Sequence, residues 1–335
     1  MGSSADVRHY FLEAFTPFGF ISFAGGLLKD MNYTYFLTGG PGTGKSTMIK
    51  LIGIQLIDRG YDVDYIRSIK EPDSVAGFFL PKQKICLFDK NEFIVQCLTG
   101  EYHREIDFDS FCRKSKIEQH KARIEELNIR LKQIEQTVIN RLRKDYESEI
   151  QEGEKEVIEK EQLSIETILS SKEDGPNLTE ITKIVSKIKK NYLYYHFLHG
   201  LQLDGWLNLA PKYIRDFDRI CLEGEDSAKI LRDILQEVKC LGQVMEIIVH
   251  PLKPYTIVGI VFPERNLAVW KGNPCRIEEQ GFNTKHSTEL TTMLETYKKA
   301  RIELKSLVND SVNFRGLDEM RNDLLSSILM DLRQD

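Results

Sequence analysis

The chain has 335 residues, of which 41% are hydrophobic, and its formal net charge is −5 at pH 7. A chain of this length can bury two modest cores, because domains usually contain ~100 to 200 residues. A protein whose main partner is duplex DNA needs a strong cationic surface. The net negative charge therefore does not indicate nucleic acid as a partner, although it does not exclude a basic patch on one face of the protein.

The cysteines and the apolar runs indicate the cellular compartment of the protein. Six cysteines are spread along the chain and form no C-x-x-C pair, so they are expected to be reduced residues, several of them in the core. No apolar run approaches the ~20 residues that a membrane span needs, and residues 1–6 contain no apolar signal core. These features predict a cytoplasmic protein that does not enter the membrane.

A glycine-rich motif follows the apolar stretch at residues 33–37. The motif consists of Gly39, Gly40, Pro41, Gly42, Thr43, Gly44, Lys45, Ser46 and Thr47. It fits the pattern G-x-x-x-x-G-K-[ST], which connects a buried strand to a helix and binds phosphates through backbone N–H groups. Lys45 would reach the β and γ phosphates, and Ser46 would hold Mg²⁺. The motif therefore predicts a site for ATP or GTP together with Mg²⁺.

A helix and three strands are predicted after the motif. The helix covers 45–59, because apolar residues recur on one face and Gly60 is a natural stop. Its positive N-terminal end would face the bound anion. The strands cover 62–66, 75–80 and 85–88. Asp89, directly after the last strand, is the best candidate for the Mg²⁺-anchoring acid of a Walker B strand. The alternation of strand and helix predicts a mainly parallel α/β sheet.

Residues 113–190 are predicted to form a charged helical arm. Between residues 124 and 150 the apolar residues recur every three or four positions, as in an amphipathic helix with coiled-coil character. The first part is rich in Lys and Arg, whereas residues 147–174 are mainly acidic and Gly153 is available as a turn. This pattern favours a hairpin folded on itself. The arm is a candidate surface for a protein or nucleic-acid partner, or a lever moved by the nucleotide; a solvated helical pair is the alternative.

The second half of the chain contains a weakened copy of the first half. Four pairs of residues are separated by a constant 182 positions: Gly60 and Gly242, Pro72 and Pro254, Gly77 and Gly259, and Pro81 and Pro263. Nearer the N-terminus, Phe11 and Phe197 correspond at 186 positions. The copy predicts a helix over 227–240 and strands over 244–249, 257–262 and 267–270. Two C-terminal helices, over 288–307 and 317–332, are expected to be structural.

The copy does not repeat the chemistry of the motif. Residues 224–229 stand in the place of the glycine-rich loop and put Glu225 and Asp226 where phosphates would lie. These carboxylates should repel a triphosphate. Lys271 stands in the place of Asp89. The sequence therefore predicts one live and one degenerate site.

Three segments follow from these predictions. Residues 1–112 are expected to form a P-loop NTPase lobe with the live nucleotide site, and residues 113–190 the arm. Residues 191–335 are expected to form the degenerate P-loop-like lobe with the C-terminal helices. The predicted fold class is α/β, with two tandem P-loop NTPase-like lobes, mainly parallel sheets and a helical hairpin or coiled-coil arm between them.

The chain resembles a family of uncharacterised bacterial ATPase-like proteins, mostly from Firmicutes, that are built from two tandem P-loop lobes. The resemblance covers nearly the full length. It is carried by residues 14–20, the loop 39–47, residues 60–63 and Pro81. It implies the fold and nucleotide binding. The chain departs from the family by losing the second loop and by having Lys90-Asn91-Glu92 where the family tends to have a turn that contains Gly and Thr.

The first functional hypothesis is a Mg-dependent ATPase. Lys45 and the N–H groups of the loop would stabilise the charge of phosphoryl transfer, and Mg²⁺ would lie on Ser46 and Asp89. A carboxylate would position the attacking water, with Glu92 as the catalytic candidate. The other reachable carboxylates are Glu71 and Asp73. If the lobes face each other about a pseudo-twofold axis, the second lobe offers two candidates for a stimulating arginine, Arg215 and Arg219.

Two other hypotheses stay open. A nucleotide or small-molecule kinase uses the same loop but closes an arginine-bearing lid over the phosphates, for which Arg104 and Arg113 are the candidates. A nucleotide-dependent switch or scaffold would hydrolyse slowly, if at all, and its bound state would set the pose of the arm. The lack of an obvious catalytic base favours the switch. The histidines have no ligand spacing with a Cys or acidic partner and are expected to be structural.

Overall fold

The computed structural model describes residues 5–92, 102–149, 193–224, 226–238, 244–254, 256–275 and 288–333. These residues form a mixed α/β fold in which helices pack on two sheets that contain parallel strand pairs. The predicted acidic half of the arm, including Gly153, lies outside the described residues. Among the residues described, no helix combines the length and the apolar character that crossing a membrane requires.

The first nine elements of the two halves follow the same order of strands and helices. The elements of the first half are β1 (Val7–Tyr10), β2 (Glu13–Thr16), β3 (Gly19–Ser22), α1 (Ala24–Leu28), β4 (Tyr33–Thr38), α2 (Lys45–Ile57), β5 (Val63–Arg67), β6 (Val75–Leu80), β7 (Ile85–Asp89), β8 (Tyr102–Asp107) and α3 (Lys114–Glu149). Those of the second half are β9 (Leu193–His196), β10 (His199–Gln202), β11 (Gly205–Asn208), α4 (Ala210–Tyr213), β12 (Asp218–Leu222), α5 (Ser227–Val238), β13 (Met245–Val249), β14 (Ile257–Phe262), β15 (Leu267–Lys271), α6 (Thr288–Asn309) and α7 (Phe314–Asp331).

The two main sheets share one strand order. The first sheet has the order β1-β5-β6-β7-β4-β8, and the second has the order β9-β13-β14-β15-β12. In each sheet the third strand, β6 or β14, is antiparallel to both neighbours, and the other pairings are parallel. Among the described residues, β8 has no counterpart in the second sheet.

The antiparallel strand follows from the length of its connections. Only residues 68–74 separate β5 from β6, and only residues 81–84 separate β6 from β7. A parallel crossover needs about a dozen residues or more, whereas a short loop can only return the chain antiparallel. The first sheet has three parallel and two antiparallel pairs, so the prediction of a mainly parallel sheet holds there. By the same reasoning at β14, the second sheet has two described pairs of each kind, and the prediction was wrong for it.

Helices α2 and α7 share one core with the first sheet. Three side chains of α2 are fully buried there: Ile49, Ile52 and Leu56. Burial of each contributes about 1.5–3 kcal/mol. Leu324 and Ile328 of α7 belong to the same cluster. The C-terminal helix, although it follows the second half of the chain, thus packs on the first sheet beside the glycine-rich loop.

Equivalent residues of the two halves meet at the contact between the sheets. Phe11 donates its backbone N–H to the carbonyl of Phe197 at 2.9 Å, and Phe197 returns the bond at 2.8 Å. Tyr10 stacks on His196 with ring centroids 4.5 Å apart. Both pairs are separated by 186 positions along the chain. Contacts between equivalent residues are the property of an approximate twofold axis, which therefore relates the two halves.

A buried ion cluster joins the sheets beside this axis. Arg8 donates through Nε to Asp64 at 3.0 Å and through Nη1 to Glu246 at 3.1 Å. Tyr213 donates its hydroxyl to Glu246 at 2.6 Å. Burial raises the pKa of Asp64 to about 7, against the opposing charge of Arg8. Because loss of Arg8 would leave two buried carboxylates uncompensated, the cluster specifies one arrangement of the two sheets.

The long helix α3 packs along α6. Leu127 and Leu131 of α3 form a buried apolar seam with Tyr297 and Leu304 of α6. These leucines belong to the spacing of three and four residues that predicted an amphipathic helix. An exposed ion pair, Arg123 to Glu303 at 2.7 Å, lies along the same contact. The described helical partner of α3 is thus α6, from the C-terminal part of the chain.

Candidate nucleotide-binding site

The glycine-rich loop lies between the end of β4 and the start of α2. Three of its residues have left-handed backbone angles, with φ of 119° at Gly39, 88° at Gly42 and 99° at Gly44. Residues that have a Cβ atom rarely adopt these backbone angles, so this turn requires glycine at the three positions. Helix α2 begins at Lys45. The arrangement of buried strand, glycine loop and helix is the one that the motif predicts.

Lys45 and Asp89 lie together at the carboxyl edge of the sheet. Strands β4 and β7 are parallel neighbours with Leu37 opposite Asp89, so both strands end at the same place. The ammonium of Lys45, whose side chain is 5% exposed, lies 3.6 Å from Asp89 Oδ2. It also donates to the carbonyl of Gly40 at 2.7 Å and to that of Gly39. A buried cation and a carboxylate thus lie together beneath one loop.

The pKa of Asp89 is sensitive to the charges around it. Burial raises this pKa to about 7; Lys45 opposes the shift and Glu92 reinforces it. A cation bound beside Asp89 would favour the ionised carboxylate. Ser46, at the start of α2, shares a hydrogen bond with Ser74 at 2.8 Å and accepts the N–H of Val75 at 3.2 Å. Ser46 and Asp89 both line the cavity beside the loop, so a metal ion there would find two hard oxygen ligands.

That cavity has a volume of about 470 Å³ and is walled by both halves of the chain. The first half contributes Lys45, Ser46, Glu71, Asp89 and Glu92. Helix α6 contributes Tyr297, Arg301 and Lys305. Pockets for small ligands usually measure ~300 to 1,000 Å³. The cavity therefore has the size of a ligand site and contains charges of both signs.

Arg301 binds two of the acidic residues in the cavity. It donates through Nε to Glu71 at 2.5 Å and through Nη2 to Glu92 at 2.8 Å, with its own side chain 14% exposed. Lys305 pairs with Glu71 as well. Burial alone would raise the pKa of Glu92, but Arg301 and Lys70 hold it below the ordinary value. Glu92 is therefore ionised at neutral pH, and its second oxygen accepts the Ser68 hydroxyl at 2.9 Å.

Helix α6 packs directly against the glycine-rich loop. A Cβ atom added to Gly42 would lie 2.7 Å from the carbonyl oxygen of Lys305 and 2.9 Å from its Cα. On the other side of the loop, Gly40 donates its N–H to Asp109 Oδ1 at 2.8 Å. One of the loop N–H groups is thus bound by a carboxylate of the chain itself. An anion that used this N–H group would have to displace Asp109.

The structure brings most of the predicted site residues together. Pro41, Lys45 and Ser46 of the loop line one cavity together with Asp89, Glu92 and Glu71. The other residues of the loop 39–47 do not line it. Asp73 does not belong to it, because its carboxylate is fully exposed and pairs with Arg67 at 3.7 Å. Arg104, considered for a kinase lid, donates instead to Ser327 at 3.0 Å. Arg104 and Arg113 do not line the cavity.

Neither of the two arginines considered for the second lobe lies at the cavity. Arg215 is 70% exposed and binds Asp216, and Arg219 lies on the exposed edge strand β12; neither lines the cavity. The arginine found there is Arg301, on a helix that was expected to be structural. Its sequence signal was weak: a cationic residue next to the apolar stripe of an amphipathic helix is usually a solvated one. Only the tertiary contact of α6 with the loop identifies it.

The corresponding region of the second half has different chemistry. Leu222 lies opposite Lys271 in the parallel pair β12–β15, in the same register as Leu37 and Asp89. A cation thus occupies the position of the carboxylate. At the start of α5, Ser227 donates its hydroxyl to the carbonyls of Leu222 and Gly224, at 3.1 and 2.6 Å. Glu225 lies outside the described residues. As far as it is described, this region contains neither the glycine-rich loop nor the acid of the first half.

No protein-family model, no curated protein and no solved structure matches this chain.

Proposed function

We propose that the chain is a P-loop protein that binds a nucleoside triphosphate, ATP or GTP, with Mg²⁺ at residues 39–47 and hydrolyses it. The observation that carries this proposal is the convergence of Lys45 and Asp89 at the ends of neighbouring parallel strands, under a loop with three left-handed glycines. The second, degenerate region is proposed not to bind a triphosphate, since Lys271 replaces the acid and the loop lacks the glycine-rich pattern. Each half is then a P-loop-like lobe, and α3 is the described part of the helical arm proposed for residues 113–190.

The residues present fit a magnesium nucleotide. Ser46 and Asp89 would hold the Mg²⁺, which when bound neutralises charge on the β and γ phosphate oxygens. Lys45 would turn from the loop carbonyls to these phosphates. The N–H groups at the start of α2 and the positive end of the helix would bind the same oxygens. For Lys45, binding therefore requires a rearrangement of hydrogen bonds only within the loop.

Helix α6 would supply the additional positive charge for hydrolysis. Arg301 and Lys305 of this helix line the cavity. Positive charges that lie where negative charge develops during phosphoryl transfer lower the activation barrier of the reaction. A γ-phosphate that recruits Arg301 would release Glu92, which is ionised and can accept a hydrogen bond from water. In the reaction the water oxygen bonds to the γ-phosphorus, the bond to the β-phosphate oxygen breaks, and the proton leaves through Glu92 or the phosphate.

The test compares nucleotide binding and turnover of the wild type with those of Lys45→Ala. Mg-ATP and Mg-GTP binding is measured by calorimetry, and phosphate release by a coupled assay. Lys50→Ala is the matched control, because Lys50 lies on the same helix but its ammonium binds the backbone of Asp73 outside the cavity. Loss of binding in the first variant alone supports the proposal. Undiminished binding by Lys45→Ala refutes it.

A nucleotide-dependent switch is favoured by one further observation. The Lys305 backbone touches Gly42, and Arg301 ties α6 to both carboxylates, so filling the site would shift α6 and, through the apolar seam, α3. A protein partner on this helical pair would then sense the nucleotide. Limited proteolysis with and without Mg-ATP tests the switch: altered cleavage within 114–149 is expected. Equal cleavage in both states counts against it, and binding without turnover would favour the switch over the ATPase.

A further inference from the structure

A second cavity, of about 450 Å³, lies between the two halves of the chain. Its walls come from β1, from the loop that follows β5, from the β10–β11 hairpin and from α4. It shares no lining residue with the cavity beside the glycine-rich loop. Its volume falls within the range of ~300 to 1,000 Å³ that small-molecule sites occupy. The function proposed above does not use it.

One side of this cavity carries cationic groups that are incompletely hydrogen-bonded. Arg67 lines it, and among the described residues its buried Nε atom has no hydrogen-bond partner. Two carboxylates also line the cavity: Asp73, which is 3.7 Å from Arg67 and fully exposed, and Asp204, which pairs with Lys298 at 2.6 Å. Burial, followed by the charges of Lys212 and Arg67, lowers the pKa of His9 to about 4. His9 is thus neutral, and no described residue forms a hydrogen bond with its buried Nδ1 atom.

The other side of the cavity is apolar and aromatic. Trp206, Leu207 and Leu209 line it together with Tyr213. Tyr213 is 4% exposed, uses its hydroxyl for Glu246 and has Arg8 over its ring at 5.4 Å, so the aromatic surface left for a ligand is that of Trp206. Aromatic surfaces facing a few convergent cationic groups are typical of sites for small amphiphilic ligands. A buried donor without a partner is unfavourable, and an acceptor of the right charge would remove that cost.

We propose that this cavity binds a small aromatic anion, with its phosphate or carboxylate group on Arg67, His9 and Lys212 and its ring against Trp206. Arg67 contributes the buried Nε–H and its positive charge. Lys212 adds a second charge, and neutral His9 can donate one N–H. Arg8 also lines the cavity, but Asp64 and Glu246 already compensate its charge, so it is not assigned a ligand.

Phenyl phosphate is the probe for this site, and Trp206 is the reporter. The chain has two tryptophans, and Trp270 is completely buried in β15, so a ligand-dependent change in tryptophan emission should arise from Trp206. A saturable change is expected on titration of the full chain, and Trp206→Phe should remove it. Arg67→Ala and Lys212→Ala are each expected to weaken binding by at least about tenfold. Arg67→Lys, which keeps the charge, should recover part of the affinity.

Three controls distinguish binding in this cavity from binding at the glycine-rich loop and from nonspecific attraction of an anion. Arg219→Ala removes an arginine on the exposed strand β12, outside the cavity, and should leave the affinity unchanged. Lys45→Ala should also leave it unchanged; loss of the signal in that variant would assign the probe to the glycine-rich loop and overturn the proposal. Inorganic phosphate should bind more weakly than phenyl phosphate, and equal binding would refute the role of the aromatic wall.

Two results would refute the site itself. One is the absence of saturable binding of phenyl phosphate to the wild type. The other is wild-type affinity in both Arg67→Ala and Lys212→Ala. Thermal unfolding of each variant confirms that it is folded.

Discussion

Replacement of Arg301 by alanine is expected to destabilise the protein by about 3 kcal/mol. Breaking a buried ion pair by removing one partner costs ~3–5 kcal/mol, because the other charge stays buried. The side chain of Glu92 is 12% exposed and that of Glu71 is 11% exposed. Lys305 remains on Glu71, and the charge of Lys70 still acts on Glu92. The lower end of the range is therefore appropriate.

A double variant tests whether the buried charge causes the loss. Glu92→Gln removes the carboxylate that Arg301→Ala leaves uncompensated, so the double variant should lose less stability than the sum of the two single variants. A coupling of about 1–2 kcal/mol is expected. Urea unfolding of the wild type, both single variants and the double variant measures it. Additive losses, with coupling below ~0.5 kcal/mol, would refute the ion-pair reasoning.

Variants of Arg301 also distinguish its contribution to stability from its contribution to catalysis. If hydrolysis occurs as proposed, Arg301→Ala should lower the kcat for Mg-ATP by roughly 10²–10³-fold, because a charge is lost where the transferring phosphate lies. Arg301→Lys keeps the charge but not the two-pronged geometry. It should therefore restore stability more fully than turnover. An unchanged kcat in folded Arg301→Ala would indicate that Arg301 serves the fold alone.

Two further predictions concern the loop and the sheet edge. Gly42→Ala should destabilise the protein by about 1–3 kcal/mol more than the control Gly60→Ala in urea unfolding. The two glycines have nearly the same φ, 88° and 87°, but only a Cβ atom at Gly42 would meet another atom, in Lys305. Equal losses would contradict the contact of α6 with the loop. The raised pKa of Asp89 means that the folded state keeps its proton where the unfolded state has lost it, so the free energy of unfolding should fall as pH rises from 3.8 to about 7. In nucleotide-free Asp89→Asn this fall should be smaller, and identical pH profiles would show that Asp89 does not titrate in this range.

Local patterns were sufficient to predict the elements of the first half from β4 to β7. The helix predicted over 45–59 is Lys45–Ile57, and the strands predicted over 75–80 and 85–88 are Val75–Leu80 and Ile85–Asp89. Here apolar periodicity, glycine stops and the loop motif agree, and each depends on neighbouring residues. Strand β1 was not predicted, because four residues of mixed burial give no clear alternation.

Contacts between distant parts of the chain were not predictable in this way. Arg301 meets Glu71 and Glu92 only because α6 lies across the loop, and nothing in the periodicity of α6 specifies that position. Likewise, α7 packs with Ile49 and Ile52 of α2, although the two helices lie at opposite ends of the sequence. Amphipathic patterns predict that a helix has a buried face; they do not indicate which surface covers it.

The paired backbone hydrogen bonds of Phe11 and Phe197 bear on the evolutionary origin of the chain. Equivalent residues that bond to each other are the mark of an isologous dimer interface, here inside one polypeptide. A duplicated gene whose product first assembled as a homodimer would give this contact once its copies were fused. After such a fusion the two halves would be free to diverge, because they would no longer have to be identical. Divergence of this kind would account for a glycine-rich loop in the first half and none in the described part of the second, from which helix α6 nevertheless reaches Gly42 of that loop.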